Sequence, residues 1–229
     1  MKSKRSIALM WGIALVPIIL LTIVYGRLPE TVPTNFGFDG TVNSYGPKAM
    51  LWMLAGMGAM LAAMFQFMPR IDPKKHSYAK FQAYYDGFAI FMELFFLGIN
   101  CLVLTEILRP GTVSMGRTVT VLLCLLFLFV GNMMGKVKNN YFFGIKTPWT
   151  LADPDVWNRT HRAGGRIWFV IGVLLLPCSL MLQEKVVLIL LLAGVIGSTL
   201  LLYVLSYVWY RKRHGRSGDG ENGGRQQDG

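Results

Sequence analysis

Three polar side chains recur every seven residues in an otherwise apolar stretch: Asp86, Glu93 and Asn100. Seven residues make nearly two helical turns, so a helix presents all three on one face. The stretch is long enough to cross a bilayer, and Glu93 then sits well inside the hydrocarbon. A carboxyl group there must be protonated, paired, or turned toward the interior of a bundle. Three kinds of chemistry are open to such a stripe: hydrogen bonding between helices, a proton or ion pathway, and a ligand-facing pocket. Gln66 and Asn132 are the candidate hydrogen-bond partners for Glu93. His161 is the other residue that invites a chemical role, but no Cys, Ser–Asp pair or second His accompanies it, so a structural role is expected. Cys101, Cys124 and Cys178 each fall alone in a different apolar run, which makes neither a metal motif nor a disulfide framework. No paired carboxylates stand in a loop, and neither metal-ligand spacing nor a nucleophile motif is present. The sequence therefore predicts no enzyme activity, no catalytic residue, no metal and no cofactor.

The elements that must position these residues are apolar runs. Of 229 residues, 53% are hydrophobic and only 15% charged, against about 25% charged in an average soluble domain. Six runs have the length a helix needs to cross a bilayer: about Ile7–Tyr25, with a kink expected at Pro17, then Met50–Met68, Tyr84–Leu108, Thr118–Gly135, Ile167–Leu182 and Val186–Tyr210. The expected fold is an all-α membrane protein with six transmembrane helices. The first run is longer than a signal peptide core and lacks a cleavage site, so it reads as an uncleaved span. Small residues at four-residue spacing, Ala55, Ala59 and Ala63 in the second span and Ala193 and Gly197 in the sixth, predict close helix packing.

The net charge of +11 reads first as topology rather than as a nucleic-acid surface. Residues 1–6, 69–83, 136–166 and 211–229 hold 18 of the 23 Lys and Arg. The remaining five are Arg27, Lys48, Arg109, Arg117 and Lys185. Because basic residues collect in cytoplasmic loops, the sequence predicts a multi-pass membrane protein with both termini cytoplasmic. No direct contact with nucleic acid is expected. Residues 211–229 are polar and Gly-rich, a composition that predicts disorder.

Two connecting segments are patterned enough to carry function. The outer loop, residues 27–48, combines Pro29 and Pro33 with turn-forming Gly37, Gly40 and Gly46. It is expected to form a folded cap whose contact candidates for an extracellular ligand are Glu30, Phe36, Asp39 and Tyr45. The long inner loop, residues 136–166, ends in a helix start, with Asp153 as N-cap and Pro154 in the first helical position. At about 100° per residue, Trp157, Thr160, His161, Gly164 and Trp168 share one face, and Arg159, Arg162 and Arg166 the other. This predicts an interfacial amphipathic helix running into the fifth span, bent near Gly164–Gly165, its arginines meeting lipid phosphates or docking a cytoplasmic protein. Trp149 and the Tyr141–Phe143 run are expected to anchor the loop at the interface.

These segments also carry a resemblance. Gly131-Asn132, the run K-V-K-N-N-Y-F-F-G-I-K-T-P-W-T-L from Lys136, and V-W-N-R-T-H-R-A-G-G from Val156 resemble the signature of the SdpI family of bacterial membrane proteins. The outer loop, with L-P-E-T-V-P-T-N-F-G-F-D-G and Y-G-P-K, resembles the DUF1648 domain that commonly precedes it. The division implied is a DUF1648-like region over 1–69, an SdpI-like region over 70–210 and a tail over 211–229. The residues carried over in the inner loop are Asn132, Lys136, Lys138, Asn140, Lys146, Pro148, Trp149, Trp157, Arg159, Thr160, His161 and Arg162. Two positions depart from the family: Lys146 stands where Arg is common, and Asn35 where His is common. The resemblance implies immunity to a secreted toxic peptide that attacks the membrane, and in some members signalling by holding a cytoplasmic transcriptional repressor at the membrane. The competing expectation is a small-solute or proton transporter using Glu93.

Overall fold

The computed structural model describes residues 4–37 and 40–215. Six helices are long and apolar enough to cross a membrane: α1 (Lys4–Val24), α2 (Leu51–Ile71), α4 (Gln82–Leu108), α5 (Met115–Met134), α7 (Pro154–Met181) and α8 (Glu184–His214). Two short helices, α3 (Lys75–Ala79) and α6 (Pro148–Ala152), lie in the connecting segments. The chain is a multi-pass helical membrane protein. Much of its surface is accordingly apolar: Ile23, Met53, Leu174, Ile196 and Leu200 are all more than half exposed, as side chains facing lipid should be.

The helices form two groups of three. Helices α1, α2 and α4 pack on one another, as do α5, α7 and α8, and α4 meets α5 between the groups. The first group is filled by side chains, with Met10, Ala14, Ala62, Phe65, Tyr85 and Ala89 in its core. The second is packed backbone to backbone. A side-chain carbon added at Gly165 would come within 2.7 Å of the Gly131 carbonyl oxygen, and one at Gly172 within 3.0 Å of the Cys124 carbonyl oxygen. Gly131 has the same problem against the Phe169 backbone. Small residues are what allow α5 and α7 to approach so closely.

Several expectations change in detail. The outer loop contains a hairpin, β1 (Thr31–Phe36) antiparallel to β2 (Val42–Pro47), with the register broken around Thr34. The amphipathic segment and the fifth span are one continuous helix, α7, which passes through Gly164–Gly165 without interruption. Helix α1 likewise continues through Pro17. The tail expected from 211 starts later, because α8 runs on through His214; residues 216–229 lie outside the described residues.

The start of α1 and the end of α8 lie at the same end of the bundle. Lys4 lines a depression with Gln66, Arg70 and Lys75, and Arg213 pairs with Asp153 and Asp155 at the start of α7. The hairpin is at the opposite end, where Gly40 lies against the backbone of Gly116 at the start of α5.

Candidate functional site

The segment between α5 and α7 carries the motif, and its shape follows from what its backbone must bond to. Asn140 is fully buried and acts as a hub. Its amide nitrogen donates to the carbonyls of Lys138 (2.8 Å) and Phe143 (2.9 Å). Its side-chain oxygen accepts from the Phe142 and Phe143 amides (2.9 and 2.6 Å) and from the Tyr78 hydroxyl (3.3 Å). Buried Asp72 completes the tie: its Oδ2 accepts from Tyr78 Oη (2.9 Å) and the Tyr141 amide (3.0 Å), and Oδ1 from the Lys74 amide (2.7 Å). Burial, then the bond and charge of Asp72, push the Tyr78 phenol well above the usual range. Lys74 crosses to Asn139 Oδ1 (2.5 Å), so the segment between α2 and α3 is stitched to the motif 65 residues away.

The helical part of the motif is held equally firmly. Trp157 is fully buried and donates through Nε1 to the Val137 carbonyl at 2.9 Å. His161 stacks on it, ring centroids 4.0 Å apart. The Ile145 amide can only donate, so His161 Nε2 is its acceptor (2.9 Å), which leaves Nδ1 carrying the proton to the Trp157 carbonyl (2.8 Å). The imidazole is therefore neutral and fully used in holding the loop. Gly144, at φ +120°, lies so close to Nε2 that no side chain fits there. Thr147 and Thr150 form a capping box that starts α6, with Pro148 in its first turn. Trp149 packs between Tyr203 and Tyr207 of α8, each centroid 5.0 Å away. Lys146 Nζ reaches the carbonyls of Tyr141 (3.2 Å) and Phe142 (3.4 Å).

Motif residues thus divide into two sets. Asn140, Lys146, Pro148, Trp149, Trp157 and His161 build the loop; Thr160 is buried beside them, its hydroxyl without a hydrogen-bond partner. Asn132, Lys136, Arg159 and Arg162 are exposed, and Lys138 is half-buried. On the face expected to be shared, Trp157, Thr160, His161 and Gly164 are buried and Trp168 is half-buried; Arg159, Arg162 and Arg166 are exposed. Sequence reasoning missed Asp72 and Tyr78. The only local signal was an acid followed by Pro73 at the end of a span, which does not reveal a partner 69 residues away.

In α4, Asp86, Glu93 and Asn100 are buried on one face, as their spacing predicts. Asp86 accepts from Gln82 Nε2 (2.7 Å), and Asn100 donates to the Phe96 carbonyl (2.9 Å). Glu93 is 1% exposed, and neither carboxyl oxygen has a hydrogen-bond partner. Neither partner expected for it reaches it: Gln66 accepts from Trp11 Nε1 (2.8 Å), and Asn132 is exposed beside α7. Glu93 instead faces Gly58 of α2, next to Ala14 of α1. Small residues make room for the carboxyl group without bonding to it.

At the hairpin end, Glu30 is exposed and pairs with Lys48 (2.9 Å), whose ammonium group lies over the Tyr25 ring (5.0 Å). Tyr45 is 66% exposed, and Phe36 is half-buried. Asp39 lies outside the described residues. Ser114, the N-cap of α5, hydrogen-bonds to Glu184 in the first turn of α8.

Six membrane-crossing helices, a braced loop at the end bearing both ends of the described chain and a hairpin at the other define a polytopic membrane protein with two distinct faces. Residues 136–206 match the SdpI/YfhL protein family, and residues 12–59 match a domain of unknown function, DUF1648. The chain is thus similar to the SdpI family over the motif loop and its last two spans, and to DUF1648 over its first two spans. It is 33% identical over 133 aligned residues to a protein named Immunity protein SdpI from Bacillus subtilis (strain 168). That alignment covers 53% of this chain and 62% of the relative. No solved structure matches the chain.

Proposed function

We propose that the protein confers immunity to a secreted peptide that attacks the membrane. The observation that carries this reading is the family match over residues 136–206, which include the motif loop, joined to a relative whose name is that of an immunity protein. On this reading the 136–166 loop and both termini face the cytoplasm of a bacterial cell, as the concentration of Lys and Arg at that end favours. The hairpin faces outward and meets the peptide through Glu30, Phe36, Asp39 and Tyr45. The exposed rim of the motif loop, Tyr141 and Lys146, is where a cytoplasmic repressor would be held. The test is deletion of the gene followed by challenge with the peptide. Cells lacking the protein should die at lower doses, and unchanged killing would sink the reading. Recruitment of the repressor is read separately, by its membrane association with and without the peptide.

One observation favours a second reading. A carboxyl group buried without a partner in the middle of a span, as Glu93 is, suits a residue that takes up and releases a proton. A transporter built on it should show a proton or solute flux in proteoliposomes that Glu93→Gln abolishes. An absence of flux in the wild-type protein removes this reading and leaves immunity untouched.

A further inference from the structure

The outward face of α7 is a concentration of unpaired positive charge. Arg159, Arg162 and Arg166 are exposed on it, and Lys136 and Lys138 approach from the segment after α5. Two adjoining depressions share Arg162. One, of about 330 Å³, is flanked by Lys136, Arg162 and Arg166; the other, of about 350 Å³, by Lys138, Arg159 and Arg162. None of these five cations forms an ion pair among the described residues. Asp155, the one acid lining the second depression, is taken by Arg213.

The first depression is amphiphilic. It exists because α5 and α7 touch through glycine: Gly131, Gly135 and Gly165 line it and contribute no side chains to fill it. Its remaining walls are Asn132 and Phe169, the latter 42% exposed and one turn beyond Arg166, where α7 becomes apolar. A cationic rim thus stands about one helical turn, roughly 5 Å, from an apolar wall that continues into the hydrocarbon.

We infer that this trench binds a phospholipid with a net anionic headgroup. The phosphate sits between Arg162, Arg166 and Lys136, and an acyl chain lies along Phe169 and the glycine backbones. Arginine suits this role because its planar fork meets phosphate oxygens two at a time. A zwitterionic lipid is disfavoured, because its ammonium group would enter a field of five unpaired cations. An acidic protein segment would satisfy the charge but has no use for the apolar wall. The inference needs the protein to be in a membrane and is independent of the immunity reading.

The test uses the full chain, purified in neutral detergent, with phosphatidylglycerol, phosphatidylcholine or glycerol 3-phosphate added, and retained lipid counted by native mass spectrometry. Phosphatidylglycerol should be retained over phosphatidylcholine. Removing one arginine should weaken that preference about five-fold, the weight of one basic side chain near an anionic lipid surface. The R162Q/R166Q variant should lose the preference while its melting temperature without added lipid stays that of the wild type. R109Q/R117Q, altered at the other end of the bundle, should keep it. Equal retention of the two lipids, or a preference that survives R162Q/R166Q, would overturn the inference. So would glycerol 3-phosphate displacing phosphatidylglycerol at matched concentration, since the site would then be one for free anions. Binding of a glutamate-rich peptide without any phosphatidylglycerol preference would assign the trench to a protein partner and also overturn it.

Discussion

The end of the bundle that carries the motif loop is tied together by buried polar side chains reaching the backbone of distant segments, whereas the hairpin end is pinned by Val32 and Leu28 in a small apolar cluster and otherwise held by exposed contacts. At the first, Asp72, Tyr78, Asn140, Trp157 and His161 are all buried, and their hydrogen bonds span up to 69 residues of sequence. At the second, the Glu30–Lys48 pair has one partner almost fully in solvent. The difference teaches what each end is for. A loop satisfied from within holds its outward cations in fixed places and has no buried group to spare for a ligand. A hairpin whose side chains are mostly in solvent can adapt to what arrives, and loops on a rigid scaffold are where binding concentrates.

The largest effect should come from removing the hub. Asn140→Ala strips the Phe142 and Phe143 amides and the Lys138 and Phe143 carbonyls of their partner in a buried loop. Buried polar groups left unsatisfied cost about 1–3 kcal/mol each before relaxation, so a loss of about 3 kcal/mol is expected. In a chain of this size that lowers the melting temperature in detergent by roughly 6–12 °C. A drop no larger than that of an exposed substitution would mean that water replaces the hub, and the contrast between the two ends would fail.

Gly144→Ala comes next. The added methyl group meets His161 Nε2 while the backbone is held at φ +120°, and strain of this kind costs about 1–3 kcal/mol. Because the closest clash is with the His161 ring, the Trp157 ring standing farther off at 3.1 Å, the cost should be non-additive. The Gly144→Ala, His161→Ala double variant should be less destabilised than the sum of its parts, measured by the same melts. Additivity would show that the backbone angle, not the histidine, makes glycine necessary.

A smaller effect has a distinctive pH signature. Tyr78→Phe removes the hydroxyl that links Asp72 to Asn140, for a loss of about 1 kcal/mol at pH 8.5. The Tyr78 phenol is held above its ordinary value near 10 in the folded protein. Above pH 10 the unfolded chain releases this proton while the folded chain retains it, so the folded state binds more protons and stability falls as pH rises. The phenylalanine variant lacks this penalty. The gap between the two proteins should therefore narrow between pH 8.5 and 11; a gap that stays constant would place the phenol in solvent.

How much of this was readable in advance follows the range of the interactions. The six spans follow from local composition, and the buried face of α7 follows from the angular positions of Trp157, Thr160, His161 and Gly164. Helix α6 had a local signal that sequence reasoning did not use, Thr147 followed by Pro148 and Thr150. The hairpin is harder, because Pro33 and a register broken at Thr34 disrupt the alternation that marks a strand. The Asp72–Tyr78–Asn140 tie has no local pattern at all. Its members belong to segments more than 60 residues apart, and only the packing of α2, α3 and the motif loop brings them together. Glu93 marks the opposite limit: its face was readable, but not that Gly58 and Ala14, rather than a polar group, would surround it.

The smallest expected effect on stability is the one that most sharpens the comparison. Glu30→Gln breaks an ion pair whose acid is almost wholly in water, and such pairs contribute roughly 0–1 kcal/mol. Tyr45→Ala removes a ring that is mostly exposed. The double variant should melt within a degree or two of the wild type, far from the loss expected at Asn140. If the hairpin is the surface that meets the toxic peptide, the same variant should protect cells less well at equal membrane abundance, measured as survival against peptide dose. The two ends would then be distinguished by opposite responses: Asn140→Ala lowers protection through lost folded protein, and the hairpin variant lowers it with the protein intact. Full protection by an intact hairpin variant would move peptide recognition away from Glu30 and Tyr45.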